Sequence, residues 1–387
     1  MRRAPLGRRG LLATAIATAA AGPAPARPSG WAEALERHLR PLLARHGVPG
    51  MAVGLLAGGR RHVFTFGRAA PGDGPPVTAR TLFEIGSVSK VFTATLAAWA
   101  EARGRLDLGA HPGRYAPALR GRPIDAATLR QLGTYTAGGL PLQFPDDVTS
   151  DAEALRYLAA WRPSAPPGTR RRYSNPSIGL LGHLAGQALG SDYTAAAEGA
   201  LFPALGLTGC HIRVPAAAAG DQAWGLDAQG RPARASPGAF DAAAYGVKAS
   251  ADSLLDFLAV QLEPEALEAD LRQAIATTRT GLFRVGPMVQ GLGWEQYPWP
   301  VPLAALLDGN SAAMALEEQP AHPLPGRGPA APETLFNKTG STRGFGAYLA
   351  FVPARRIGIA LLANRNWPIP DRIRAAHAVL AEMAAGG

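Results

Sequence analysis

Lysine and cysteine are almost missing from this chain. Of its 387 residues only Lys90, Lys248 and Lys338 are lysines, against 39 basic residues in all, and Cys210 is the one cysteine. A single thiol excludes an internal disulfide. Its setting, Leu207-Thr208-Gly209-Cys210-His211, matches no thiol-enzyme signature, so a buried and inert cysteine is expected. Arginine evidently fills the general surface roles. The three lysines then draw attention for a chemical reason: a desolvated ammonium can lose its proton and a guanidinium cannot. Metal-binding patterns are lacking too. The eight histidines are scattered, with no H-E-x-x-H and no H-x-H, and neither metal nor cofactor is expected. There is no run of five basic residues. The densest cluster, Arg170-Arg171-Arg172, reads as a solvated turn, and a formal charge of +10 is a weak argument for a nucleic-acid partner. Beyond the N-terminus no stretch of 18 uncharged apolar residues occurs, so no membrane anchor is expected after processing. The 46 glycines and 35 prolines follow no three-residue period, which excludes collagen. A hydrophobic content of 47% excludes a disordered chain.

What is present begins with an export signal. Arg2, Arg3, Arg8 and Arg9 precede the apolar run 11–21, and Ala24-Pro25-Ala26 offers small residues for cleavage. Residues 1–26 therefore read as a signal peptide, and Arg8-Arg9 leaves a twin-arginine route open. Residues 31–46 have apolar positions at helical spacing, closed by Gly47. The runs 51–57 and 62–66 flank Gly58-Gly59-Arg60-Arg61, and 346–352 and 357–363 flank Pro353-Ala354-Arg355-Arg356; both read as hairpins. A last helix follows Pro370. Between these ends, helices are expected over 91–103, from the capping box Ser150-Asp151-Ala152-Glu153 to Trp161, and over 251–262. Residues 214–245 form a long, weakly periodic loop, and the Pro-rich 319–333 reads as a surface loop. The expected fold is α/β. A mixed, mainly antiparallel sheet is built from both chain ends and flanked by terminal helices, beside a mostly helical lobe. This makes one catalytic domain over 27–387, with an α/β lobe at about 27–85 and 285–387 and a helical lobe at about 86–284.

Three short motifs carry chemistry. Ser87-Val88-Ser89-Lys90 opens the helix that runs to Arg103, which puts Ser87 and Lys90 on one face a turn apart. A serine hydroxyl needs a neighbour to take its proton, and a lysine in a low-dielectric cleft can do so. Free N–H groups at the helix start can stabilise an oxyanion. In Tyr173-Ser174-Asn175 a phenol beside two ammonium groups would have its charged form favoured. In Lys338-Thr339-Gly340, followed by Ser341, a glycine lets a strand edge approach a ligand closely. Each motif alone is weak; the ordered set, holding two of the three lysines, is not.

That set resembles the penicillin-recognising serine enzymes, and among them the class C β-lactamases. Tyr173 stands where the superfamily pattern has the serine of S-D-N, and no E-x-x-L-N box is present; the nearest fragment, Glu198 to Leu201, is followed by Phe202. The strings 83–86, 134–143, 173–180, 244–248, 290–295 and 338–353 extend the likeness over residues 30 to 384. The resemblance implies a serine hydrolase acting on cyclic amides, a cephalosporinase that hydrolyses cephalosporins and penicillins, with a D,D-peptidase or esterase of the same fold as the alternative. By similarity Ser87 is the acylated nucleophile, and Lys90 and Tyr173 share the general-base role. The N–H groups of Ser87 and Ser341 form the oxyanion hole. Gln143 and Asn175 contact the antibiotic's side-chain amide, and Tyr245 lines the cleft. Lys338, Thr339 and Ser341 face the carboxylate, Gly340 lets the backbone come close to the substrate, and Asn366 and Arg372 border the carboxylate side. Two departures bear on substrate range: Ile369, where relatives often carry asparagine, and Arg343, where they carry glycine or asparagine. The partner is a small β-lactam, the location periplasmic and the expected state monomeric.

Overall fold

The two chain ends pair side by side in one sheet. The computed structural model describes residues 30–325 and 330–386; the expected signal peptide lies outside them. The chain enters through α1 (Trp31–His38) and α2 (Arg40–His46). One helix was expected here. Pro41 has no N–H to donate to Arg37, so the helix breaks at Leu39 and restarts. The hairpin β1 (Gly50–Ala57) and β2 (Arg60–Gly67) follows. Its two-residue turn, Gly58-Gly59, has φ of +53° and +78°, the positive values that a tight hairpin needs.

β3 (Phe83–Glu84) leads into a short 3₁₀ turn, Gly86–Val88, and then α3 (Ser89–Ala102). Every residue of α3 from Ser89 to Ala100 is buried, so this is a core helix with no wet face. In the same lobe, α4 (Asp151–Ala160) shares its core through Ala154 and Leu158, α5 (Asn175–Ala188) packs directly on it, α6 (Ala251–Leu262) meets it where Phe257 lies against Phe92, and α7 (Ala269–Arg279) packs directly on it. The capping box at Ser150 and Glu153 forms as its spacing foretold. β3 pairs with β4 (Lys248–Ala249). The 214–245 stretch holds a small hairpin (Gly225–Leu226 with Pro232–Ala233) and a single helical turn, Asp241–Ala244.

The chain then returns to the sheet through β5 (Gly281–Val285), β6 (Met288–Gly291) and β7 (Glu295–Pro298). Short helices α8 (Leu303–Gly309) and α9 (Ala312–Leu316) come next, then β8 (His322–Pro323). The stretch expected to be a surface loop thus supplies an edge strand, a position where a proline's missing N–H costs no ladder bond. β9 (Thr334–Ser341), β10 (Gly346–Val352), β11 (Ile357–Ala363) and α10 (Ile369–Ala385) complete the fold. The nine-stranded order is β8-β5-β6-β7-β9-β10-β11-β1-β2, antiparallel throughout, with Met51 opposite Ala363.

The central strands alternate between two cores. Met51, Val53 and Leu55 of β1 and Ile357, Ile359 and Leu361 of β11 face the terminal helices. Ala52 and Leu56, with Ala360 and Leu362, face the helical lobe. Because both faces are covered, these strands read as continuous apolar runs rather than as in–out alternation.

Candidate active site

The site forms where the turn before α3 meets the end of β9. Gly86 takes φ +52°, and a Cβ there would stand 2.5 Å from the Ser341 nitrogen. A Cβ on Gly340 would stand 2.0 Å from the Ile85 carbonyl. Two glycines therefore permit a backbone approach that no side chain would allow, and it sets Ser87 beside Ser341. Ser87 is half-buried at the cleft floor. One turn on, Lys90 is fully buried; its Nζ donates to Ser87 Oγ at 2.9 Å and to the Ala244 carbonyl at 2.7 Å. Burial, with repulsion from Lys338, lowers the Lys90 pKa to about 8, although Tyr173 and Glu295 pull the other way.

Tyr173 reaches the same place from the turn before α5. Ser174 caps that helix by accepting from the Ser177 N–H, which fixes the direction in which Tyr173 leaves the chain. Lys90 Nζ lies 5.1 Å and Lys338 Nζ 5.0 Å from the centre of its ring. Burial works against the phenolate, but the two ammonium groups and the nearby Ser87 hydroxyl outweigh it, and the pKa falls below the usual tyrosine value. The Tyr173 hydroxyl has no partner within hydrogen-bond geometry. A buried phenol is thus held ready to exchange a proton with whatever enters.

β9 carries Lys338 to Ser341. Lys338 Nζ donates to Glu295 Oε1 at 3.1 Å, and this pairing, with Tyr173 close by, outweighs burial and raises its pKa. Arg372, also buried, donates to the Gly340 carbonyl at 2.7 Å, to Ser341 Oγ at 3.0 Å, to Asn366 Oδ1 at 2.6 Å and to the Trp367 carbonyl. Among the described residues no carboxylate answers its charge, and burial presses its pKa down to about 9. Ser87, Tyr173, Lys338, Thr339, Gly340, Ser341 and Asn366 line one cleft of about 550 Å³, closed on the far side by α8, α9 and Ile369. Lys90 and Arg372 lie behind its wall. Gln143, exposed, Asn175, buried with its Oδ1 unpartnered, and Tyr245, half-buried, are not among its lining residues.

The β-lactamase family profile matches residues 35–384. The chain belongs to the β-lactamase family. A β-lactamase of Pseudomonas fluorescens is 46% identical over 351 residues, 91% of this chain and 98% of the relative. One from Lysobacter lactamgenus is 43% identical over 92% of this chain and 93% of its own length. Among solved structures, a class C β-lactamase in complex with cefoxitin superposes with a TM-score of 0.87 at 38% identity, covering 91% of this chain and 98% of its own. The D-alanine carboxypeptidase AmpC from Burkholderia cenocepacia gives 0.86 at 45%, with the same coverage.

Three charged groups of this β-lactamase were not singled out from the sequence. Arg171 is not in a solvated turn: it is 2% exposed, lines the cleft, donates to Gln290 Oε1 and the Met314 carbonyl, and lies 3.6 Å from Glu295. Its guanidinium also stacks against Tyr135 and Tyr173, 5.4 and 5.5 Å from their ring centres. Strand pairing with Gln319–Pro320 folds this residue inward while its neighbours face out, a long-range pairing that no local pattern signals. Glu295, buried between Arg171 and Lys338, and Glu84, buried on β3, lay inside strings matched for likeness but carried no assigned role. A charged residue inside an apolar strand was the available signal for both. Cys210 is buried as expected, and burial drives its thiol pKa well up. Among the described residues no grouping of His, Cys, Asp or Glu side chains suits a metal ion.

Proposed function

We propose that this β-lactamase opens the lactam ring by forming an acyl-enzyme on Ser87. The observation that carries this reading is the 2.9 Å contact between Ser87 Oγ and Lys90 Nζ in a cleft shared with Tyr173 and Lys338, three distant stretches of chain converging on one hydroxyl. Neutral Lys90, or the Tyr173 phenolate, takes the serine proton as Oγ attacks the lactam carbonyl. The N–H groups of Ser87 and Ser341 receive the developing oxyanion, a contribution of about 3–4 kcal/mol per donor in other hydrolases. The Tyr173 hydroxyl then protonates the departing ring nitrogen. Water attacks the ester at the same centre, giving up its proton to the Tyr173–Lys90 pair.

Lys338 was expected to face the substrate carboxylate. Its contacts with Glu295 and the Tyr173 ring direct its charge first at the phenol. Carboxylate binding then rests chiefly on Thr339 and on Ser341, whose hydroxyl Arg372 holds. Ile369 adds an apolar wall and no donor. Gln143 and Asn175 would meet the acyl side-chain amide from the cleft's outer edge, and Tyr245 would flank it.

The test is intact-protein mass spectrometry during turnover of a cephalosporin. An adduct of the opened antibiotic on Ser87, absent in Ser87→Ala, is expected, together with loss of all turnover in that variant. Hydrolysis by Ser87→Ala would overturn the assignment. The similarity to a D-alanine carboxypeptidase favours one second reading, a D,D-peptidase acylated at the same serine. A cephalosporin adduct that persists for hours instead of minutes would select it. The protein is further proposed to be exported, to lose residues 1–26 and to act as a periplasmic monomer; among the described residues no helix is long and apolar enough to cross a membrane.

A further inference from the structure

We propose that Glu84 and Thr342 are positioning residues that set the width of the oxyanion hole. The inference rests on the reading above, in which the N–H groups of Ser87 and Ser341 share one oxygen. Those groups belong to segments about 250 residues apart, one on the turn after β3 and one at the end of β9. A pair of donors is useful only when both sit about 2.7–3.1 Å from the same oxygen, and an error of 1 Å in such geometry costs about 10²-fold. Something must hold the two segments at a fixed distance.

Glu84 is three residues before Ser87, and Thr342 is the residue after Ser341. Thr342 Oγ1 donates to Glu84 Oε2 at 2.7 Å, joining the two segments directly. The other carboxylate oxygen, Oε1, accepts from the Ala235 N–H at 2.8 Å. The Glu84 carboxylate is 2% exposed and anchored through both oxygens, so it serves as a rigid spacer. Burying a carboxylate is costly unless it is hydrogen-bonded, and no step of the proposed chemistry uses this one. The surrounding backbone leaves little slack. The Thr342 N–H donates to the Phe345 carbonyl at 3.0 Å, which closes the turn that carries Ser341. Close contact of Gly86 and Gly340 with the opposite segment prevents the hole from narrowing; the Thr342–Glu84 bond keeps it from widening.

The test uses the full chain and the variants Thr342→Val, Thr342→Ser and Glu84→Gln. Valine keeps the shape of threonine without the hydroxyl, and serine restores the hydroxyl. Glutamine keeps one acceptor and turns an amide toward the other donor. Kinetics are expressed per titrated active site, so that partly folded protein does not count. Phenylboronic acid, which adds to the serine and places an oxygen in the hole, reports the tetrahedral geometry. Thr342→Val is expected to lose tenfold or more in kcat/KM and to raise the boronic acid inhibition constant by a similar factor. Glu84→Gln should fall in the same direction, and Thr342→Ser should stay within threefold of the parent. A merely structural role would lower Tm and the titratable fraction while leaving both per-site values unchanged; that result in Thr342→Val and Glu84→Gln overturns the proposal. A Ser87 adduct in the parent, with unchanged per-site kinetics in the variants, sinks this inference alone. No Ser87 adduct in the parent sinks the acyl-enzyme reading and this inference together.

Discussion

Lys90 illustrates how the surroundings change the chemistry of a single side chain. On a surface, an ammonium is a strongly hydrated cation and a poor base at neutral pH. Here burial and Lys338 bring it to about 8, while the Lys338 and Lys90 ammonium groups draw Tyr173 below the usual tyrosine value against the effect of burial. At pH 7 about a tenth of a group titrating near 8 is neutral. The two groups interact across about 5 Å, so they titrate as a pair and the rate profile reports the pair. The expected outcome is a rising limb in kcat/KM between about pH 7 and 8 with a plateau above it, measured on a cephalosporin under non-saturating conditions. The sign follows from the downward shift of Lys90: raising pH creates the neutral amine, and the acylation rate follows. Lys90→Arg replaces that amine with a group that does not deprotonate, so the limb should vanish and kcat/KM should fall by more than about 10²-fold. An unchanged profile in the variant would remove Lys90 from the proton path. The lysine scarcity drew attention to Lys90, Lys248 and Lys338 alike, and only the motifs around them singled out Lys90 and Lys338; Lys248 bonds the Ile212 and Gly246 carbonyls instead. Arg171 and Glu295 did not stand out because their importance comes from whom they meet across the fold, not from a local pattern.

At the scale of elements, the 214–245 loop and the β9–β10 turn show how a departure visible in the sequence acquires meaning only in three dimensions. From the sequence, Arg343 was a departure bearing on substrate range. Its guanidinium donates to Asp227 Oδ2 at 3.0 Å, and Asp227 is 2% exposed. The Arg231 N–H, with its guanidinium and the Gln229 N–H, holds the Asp227 carboxyl down to about 2, against the effect of burial. Arg343 thus fastens the small hairpin of the loop to the turn after Ser341, where the Gly225 backbone already lies against Gly344. The arginine is itself largely exposed, so its removal should change Tm little. Arg343→Gly is expected to speed limited proteolysis within residues 226–238 severalfold, and the exchange Arg343→Asp with Asp227→Arg to restore resistance in part. Cleavage at the parent rate in Arg343→Gly would show that the loop is held by other contacts. Elements with a strong local code, the two hairpins, the Ser150 cap and the 251–262 helix, were legible in advance. The break at Leu39 and the edge strand at His322 were not, because a proline's effect depends on which neighbour needs its missing N–H.

For the molecule as a whole, residues 30 onward complete both faces of the sheet: α1 packs on α10, and β1 lies between β2 and β11. Deleting residues 2–26 should therefore leave Tm and kcat unchanged in purified protein, and the exported protein should begin at Arg27 when its N-terminus is sequenced. A lowered Tm in the deletion would give the leader a structural part. The expectation of a sheet drawn from both ends was correct because hairpin signals at 51–66 and 346–363 are local. The order of its nine strands was not legible, since pairing partners are chosen by long-range burial. The pairing of Met51 with Ala363, which joins the first strand to the last, has a consequence for biosynthesis. As the polypeptide emerges from the ribosome, β1 has no neighbour on one side until more than nine-tenths of the message has been translated. The nascent protein must therefore spend most of its synthesis with an open strand edge, a state in which chaperone protection matters more than for a fold assembled from adjacent segments.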